Sequence, residues 1–210
     1  MIDLEAIIEE RHRKIWGYSD TPLLILLCLA IFFTVSWLLP TFLYVPVNVL
    51  GASMEPTLYE DDQVMLFKQG KIGFGDIVVA HAPKLEGGRG KDVIKRVIGL
   101  PGETIRFEVK NIDGRDVYII HRQKQIGGMA VDIMLQDEFY VKNISFNKEF
   151  DDGDVYTLGE DEYFLMGDNR GDSLDSRNPD IGPVKREQVK GKALFIIRGG
   201  AIFPVNKIKL

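Results

Sequence analysis

The chain has 210 residues, 45% of them hydrophobic and 27% charged, and carries a net charge of −5. An acidic balance argues against nucleic acid as a partner and against attraction of the folded part to anionic lipid, so any membrane contact it makes should be apolar. The single cysteine, Cys28, excludes an intrachain disulfide and leaves the fold to be held by its core alone.

In chain order, Met1 to Arg13 is a short mixed-charge segment. Ile2, Leu4, Ile7 and Ile8 fit one helical stripe, and a frayed tail fits as well. From Pro22 to Pro46 no residue is charged. A helix crosses a bilayer with roughly 20 apolar residues at about 1.5 Å each, and Pro22 to Leu39 is long enough. Pro40 and Pro46 discourage regular helix beyond it. Residues 1–21 are therefore assigned to an N-terminal segment and 22–43 to a transmembrane anchor, with Trp37 and Tyr44 as interfacial aromatics. Arg11, Arg13 and Lys14 precede the span, and the next basic residue after it is Lys68. The positive-inside bias puts the N-terminus in the cytoplasm and the rest outside, anchored in the cytoplasmic membrane by a single pass. A cleaved signal peptide is the competing reading. Its apolar region typically has only ~7–15 residues and ends at a small-x-small site. The run here is longer, and Pro40 to Leu50 offers no such site.

Beyond the span the pattern changes to period two. Val45–Leu50, Gln63–Phe67, Gly75–Ala80 and Asp92–Ile98 read as strands, the last stopped by the Gly99-Leu100-Pro101-Gly102 turn. Ile105, Phe107 and Val109 alternate with charged residues, and Val117–His121 can pair back across Asp113-Gly114. Helical periodicity is absent, so the outer part is read as mostly antiparallel β. Residues 44–103 and 161–210 form a core, and 104–160 a β-rich insertion, more polar and richer in turns. The acidic loop Asp151-Asp152-Gly153-Asp154 lacks the alternating ligand spacing of a calcium loop and reads as solvated.

Three segments could carry chemistry. Gly51-Ala52-Ser53-Met54-Glu55 holds a serine, but Glu55 departs from the Gly-x-Ser-x-Gly elbow, and taken alone Ser53 reads as a turn residue. Of the histidines, His12 lies on the cytoplasmic side and His121 in the insertion. His81 ends a core-like strand and is the conventional alternative base. No clustered His and Cys supply a zinc ligand set, and no metal or organic cofactor is expected. Lys95 sits among Val93, Ile94 and Val97. Burial there disfavours the ammonium and lowers a pKa that is otherwise about 10.4, whereas on an exposed strand it would be an ordinary charge. Gly167 to Arg177 is dense in short polar side chains after the apolar Tyr163–Met166. It reads either as a polar turn or as a loop that braces a site with Asp–Arg pairs. Gly87-Gly88-Arg89-Gly90-Lys91 fails the phosphate-loop spacing at Leu85 and Asp92.

Taken together, Ser53-Met54-Glu55-Pro56-Thr57-Leu58, Gly75-Asp76-Ile77-Val78-Val79, Lys95 to Glu103, and Gly167-Asp168-Asn169-Arg170 with Ser173, Asp175, Ser176 and Arg177 resemble the bacterial type I signal peptidases. These are membrane-bound Ser/Lys endopeptidases that remove signal peptides from exported proteins. The resemblance covers the anchor and nearly all of the outer part, and Gly191-Lys192-Ala193 also fits. It implies an antiparallel β-sheet catalytic core of the signal peptidase/LexA-like kind. It further implies Ser53 as nucleophile, Lys95 as general base, and Ser173 as the hydroxyl that orients the amine. Asp175 with Arg177, and Asp168 with Arg96, become bracing ion pairs. Preprotein signal peptides are then the partner. Small side chains at the residue before the cut and the third before it would enter pockets for which Leu50, Met54, Leu58, Val93 and Ile94 are candidate walls, or equally core residues. One departure is Gly51, where some members carry an oxyanion-binding serine. The Ser53 N–H then remains as the expected oxyanion donor. A self-cleaving LexA-type regulator would need a DNA-binding N-terminus and an Ala-Gly bond, neither of which is present. An inactive membrane-anchored β module that binds peptides, and a pilus-specific or conjugation-specific peptidase of the same fold, compete with this reading.

Overall fold

The computed structural model describes residue 5 and residues 21–112, 115–127, 129–135 and 153–205. The N-terminal stripe, the basic flank, His12, the Asp113-Gly114 turn and Asp151-Asp152 lie outside the described residues. The chain forms two compact units, Met1–Leu43 and Tyr44–Leu210.

In the first unit, helix α1 spans Thr21–Leu43, 23 residues and about 35 Å at about 1.5 Å per residue. Its apolar side chains are exposed all round, and among the described residues it is the one helix long and apolar enough to cross a membrane. The hydroxyls of Thr34 and Thr41 donate back to the carbonyls of Ala30 and Leu38, so neither needs a partner outside the helix. The helix does not stop at Pro40 as the sequence suggests; it continues to Leu43. So close to the C-terminal end, the proline removes one backbone bond and leaves the rest of the ladder intact.

In the second unit the regular structure of the described residues is almost all strand. Strands β1 (Tyr44–Asn48), β2 (Gln63–Phe67), β3 (Ile77–Ala82), β4 (Lys91–Gly99), β9 (Glu162–Met166), β10 (Val184–Lys185), β11 (Val189–Arg198) and β12 (Ala201–Pro204) build one antiparallel sheet. Its order is β1-β2-β11-β3-β4-β9-β10, with β12 paired to β11. Between β4 and β9 the chain makes a second antiparallel sheet from β5 (Thr104–Ile112), β6 (Arg115–Ile126), β7 (Met129–Leu135) and β8 (Val155–Thr157), in the order β7-β6-β5-β8. Because β9 returns to pair directly with β4, the main sheet closes without the smaller one.

Period-two alternation explains the main core. On β3, Val78, Ala80 and Ala82 pack to one side with Val93, Val97 and Leu165, while Ile77 and Val79 pack to the other with Met54, Leu58, Val64 and Leu66. Both faces are covered, so Ile77 to Ala80 are all fully buried. A third cluster of Ile98, Ile105, Phe107, Ile120, Leu158, Phe164 and Met166 joins the smaller sheet to β4 and β9. Gly99 lies at that joint: a Cβ would come within 2.9 Å of Ile105 and Phe164. The joint also carries the buried pair of Glu103 and Arg122, whose guanidinium stacks 3.9 Å from the centre of the Phe74 ring.

Candidate active site

Ser53 sits in the turn-rich loop between β1 and β2, after Gly51 at φ +76°, a left-handed backbone that favours glycine. The loop is pinned below by Met54 and Leu58, which are fully buried. Lys95 comes from β4, on the same face of the strand as Val93 and Val97. Its amine donates to Ser53 Oγ at 2.7 Å and to the Ile94 carbonyl at 3.0 Å. The residue is only 4% exposed. Burial lowers its pKa from 10.5 to about 8. The charge of Asp175 pulls it up, Arg177 pushes it down, and Asp168 pulls it up.

Two buried ion pairs flank the lysine. Arg96, next to it on β4, makes a two-bond fork to Asp168, with Nε to Oδ1 at 2.7 Å and Nη2 to Oδ2. Its Nη1 donates to the Gly75 carbonyl at 2.8 Å, and the Thr57 hydroxyl donates to Asp168 Oδ2. This pair therefore ties β4, the loop after β9 and the serine loop together. Arg177 grips Asp175 in the same way, Nε to Oδ1 at 2.6 Å and Nη2 to Oδ2 at 2.9 Å, and reaches the Arg170 carbonyl. Asp175 Oδ2 also accepts from the Gly167 N–H. With both carboxylates saturated by donors, the cost of burying them is offset locally.

The expected contact of Ser173 with the amine is not made. Its hydroxyl donates to Asp175 Oδ2 at 2.7 Å, a fully buried carboxylate being the stronger acceptor. Gly167 makes the crowding possible, because a Cβ there would collide with Ser173 Oγ and the Ser53 carbonyl. His81 faces Asp92 through Nδ1 at 3.0 Å, and His121 pairs with Glu108 and Asp132 in the smaller sheet.

A groove of about 450 Å³ opens beside the serine. Leu50, Met54, Val93 and Ile94 line it, together with Val47, Val79 and Leu174. Leu58 does not line the groove. It is wholly inside the core beneath the serine loop, where its apolar neighbours claim it. One side of the groove is the edge of β4. That strand pairs with β3 over its first part and meets β9 only from Arg96 onward, so among the described residues Lys91 to Lys95 have no strand on their second edge. Two contributors escaped the sequence reading. Thr57 completes the Arg96–Asp168 cluster, and Asn169 bonds the serine loop through its carbonyls. Asn169 belongs to the polar block Gly167 to Arg177, but contacts to backbone atoms leave no mark in a sequence.

The site thus sets a buried amine against a hydroxyl beside an open strand edge. Residues 22–198 match the family described as signal peptidase, peptidase S26. Signal peptidase I of Bacillus licheniformis is 32% identical over 181 residues, covering 82% of this chain and 83% of the relative. Signal peptidase I S of Bacillus subtilis is 33% identical over 180 residues, with 82% and 84% covered. Signal peptidase I of Streptococcus pneumoniae is 30% identical over 190 residues, with 80% and 86% covered. The chain belongs to the signal peptidase family, S26, and is a peptidase with an N-terminal apolar helix suited to a membrane.

Proposed function

We propose that this protein removes N-terminal signal peptides from exported preproteins at the outer face of the cytoplasmic membrane, with Ser53 as nucleophile and Lys95 as general base. The observation that carries the reading is the 2.7 Å contact between Lys95 Nζ and Ser53 Oγ in a buried setting. At pH 7 a pKa of about 8 leaves roughly a tenth of the amines neutral, against a few in ten thousand at the ordinary value. That fraction is enough for the amine to act as base at neutral pH.

The cleavage segment lies extended along Lys91 to Lys95, adding a strand to the open edge of β4. Apolar walls select small side chains at the subsites. Ser53 Oγ attacks the scissile carbonyl carbon while its proton passes to Lys95 Nζ. The resulting ammonium gives a proton to the leaving amine as the C–N bond breaks, which leaves an acyl-enzyme on Ser53. The amine, neutral again, takes a proton from water as the water oxygen attacks the ester carbon; the bond from that carbon to Ser53 Oγ then breaks, the Lys95 ammonium returns its proton to Ser53 Oγ, and the signal peptide leaves with a free carboxyl group. The ion pairs Arg96–Asp168 and Asp175–Arg177 hold the frame, and Ser173 acts through Asp175.

The test is incubation of a purified preprotein with the detergent-solubilised protein, the cut read by mass spectrometry. Cleavage after a small-x-small motif is expected from the wild type, and loss of at least about 10³-fold from Ser53→Ala and Lys95→Ala. Turnover near the wild-type rate by Lys95→Ala would remove the lysine from its role.

A further inference from the structure

Asn169 follows Asp168 in the loop after β9 and reaches the serine loop twice. Its N–H donates to the Ser53 carbonyl at 3.1 Å, and its Nδ2 donates to the Ala52 carbonyl at 3.1 Å. Ala52 O accepts a second bond from the Glu55 N–H, also at 3.1 Å. One buried residue, 117 positions from Ala52, thus holds two consecutive carbonyls of the loop.

The consequence is geometric. The peptide unit joining Ala52 to Ser53 is planar and trans, so its N–H points opposite to its C=O. Holding the Ala52 oxygen therefore sets the direction of the Ser53 N–H. Holding the Ser53 oxygen fixes the next plane, and the torsions of Ser53 are bracketed on both sides. On the N-terminal side Gly51 offers little restraint of its own: its backbone is left-handed, and a Cβ built on it meets nothing within 4 Å. On the other side the absent side chain of Gly167 lets the Ser53 carbonyl approach.

We infer that Asn169 is a positioning residue that aims the Ser53 N–H at the oxyanion formed when Ser53 attacks. This rests on the reading of Ser53 as nucleophile. It assigns the side-chain amide of Asn169 a part in transition-state stabilisation through Ser53, without contact to substrate. It also accounts for how a chain with glycine at position 51 keeps its backbone donor in place.

Full-length Asn169→Ala and Asn169→Asp in detergent test this on a peptide substrate. A peptide aldehyde, which adds to Ser53 Oγ and creates an oxyanion, is compared with the matching peptide alcohol, which cannot. We expect kcat to fall about 10- to 100-fold with KM changed by less than about threefold. The affinity advantage of the aldehyde over the alcohol should shrink by the same factor; the midpoint of the pH profile should stay in place in Asn169→Ala, and Asn169→Asp, whose added carboxylate raises it, is compared on the high-pH plateau. Asn169→Asp has the shape of asparagine but lacks the Nδ2 donor, so it should fall at least as far as Asn169→Ala. If Asn169→Ala shows no cooperative melting, the Asp variant decides alone. Wild-type kcat in Asn169→Asp overturns the inference. So does a lowered kcat with an unchanged aldehyde advantage, or, in Asn169→Ala, one explained by a moved pH midpoint. Wild-type turnover by a Ser53→Ala control strikes the proposed function itself, and so separates the two failures.

Discussion

An ordinary lysine spends pH 7 charged, and Lys95 is buried where charge is disfavoured. The proposed reaction needs the neutral amine, so kcat should rise with pH through a midpoint near 8 and then level off; a titration of peptide cleavage from pH 6 to 10 checks this. Neutralising Asp175 removes the negative charge that holds the lysine pKa up. In Asp175→Asn the midpoint should therefore move below 8, while loss of the partner of Arg177 costs stability of about 3–5 kcal/mol. The same burial has a stability side. The folded pKa is lower than the unfolded one, so the penalty is fully present below about pH 8 and fades as pH rises towards 10.5. Lys95→Met should thus be inactive yet more stable than wild type by on the order of 3 kcal/mol at pH 7, with the difference vanishing near pH 10.5 in melting experiments.

At the scale of elements, the joint between the two sheets is held by a charge pair as well as by grease. Glu103→Ala leaves the Arg122 guanidinium buried without its carboxylate, and its Nη1 already has no hydrogen-bond partner among the described residues. A loss of about 3–5 kcal/mol is expected. Hydrogen exchange should quicken first in β5 and β6, with β3 protected longer. Much of this architecture could be read from the chain. Gln63–Phe67 was legible because its burial alternates with period two, and Lys91–Gly99 because its apolar residues run up to a Pro-Gly turn. The strand β11 was not legible: Gly191, Lys190 and Lys192 interrupt its pattern, and it changes register between Ala193 and Phe195. Nor was β7, most of whose side chains are exposed. At the site, Ser53 and Lys95 stood out through the motifs around them. Thr57 and Asn169 did not, since their roles depend on where distant segments meet.

At the scale of the whole molecule, the proposed orientation predicts that protease added to sealed right-side-out vesicles digests the Tyr44–Leu210 unit and spares the segment around α1. Residues 44–52 separate Leu43 from Ser53, and under the proposed function tethering to the membrane raises the local concentration of membrane-held preproteins. Deleting residues 1–43 should leave cleavage of a short soluble peptide within about threefold of wild type and slow cleavage of a vesicle-embedded preprotein by at least about tenfold, both followed by gel or mass analysis. The open rim of β4 has a broader implication. Under the proposed function, the rim recognises a client through amide groups that every client shares, and the proposed subsites ask only that two side chains be small. Targeting segments can then drift freely in spelling and still be accepted, so one enzyme of this design can serve a large and evolving clientele without evolving alongside each member.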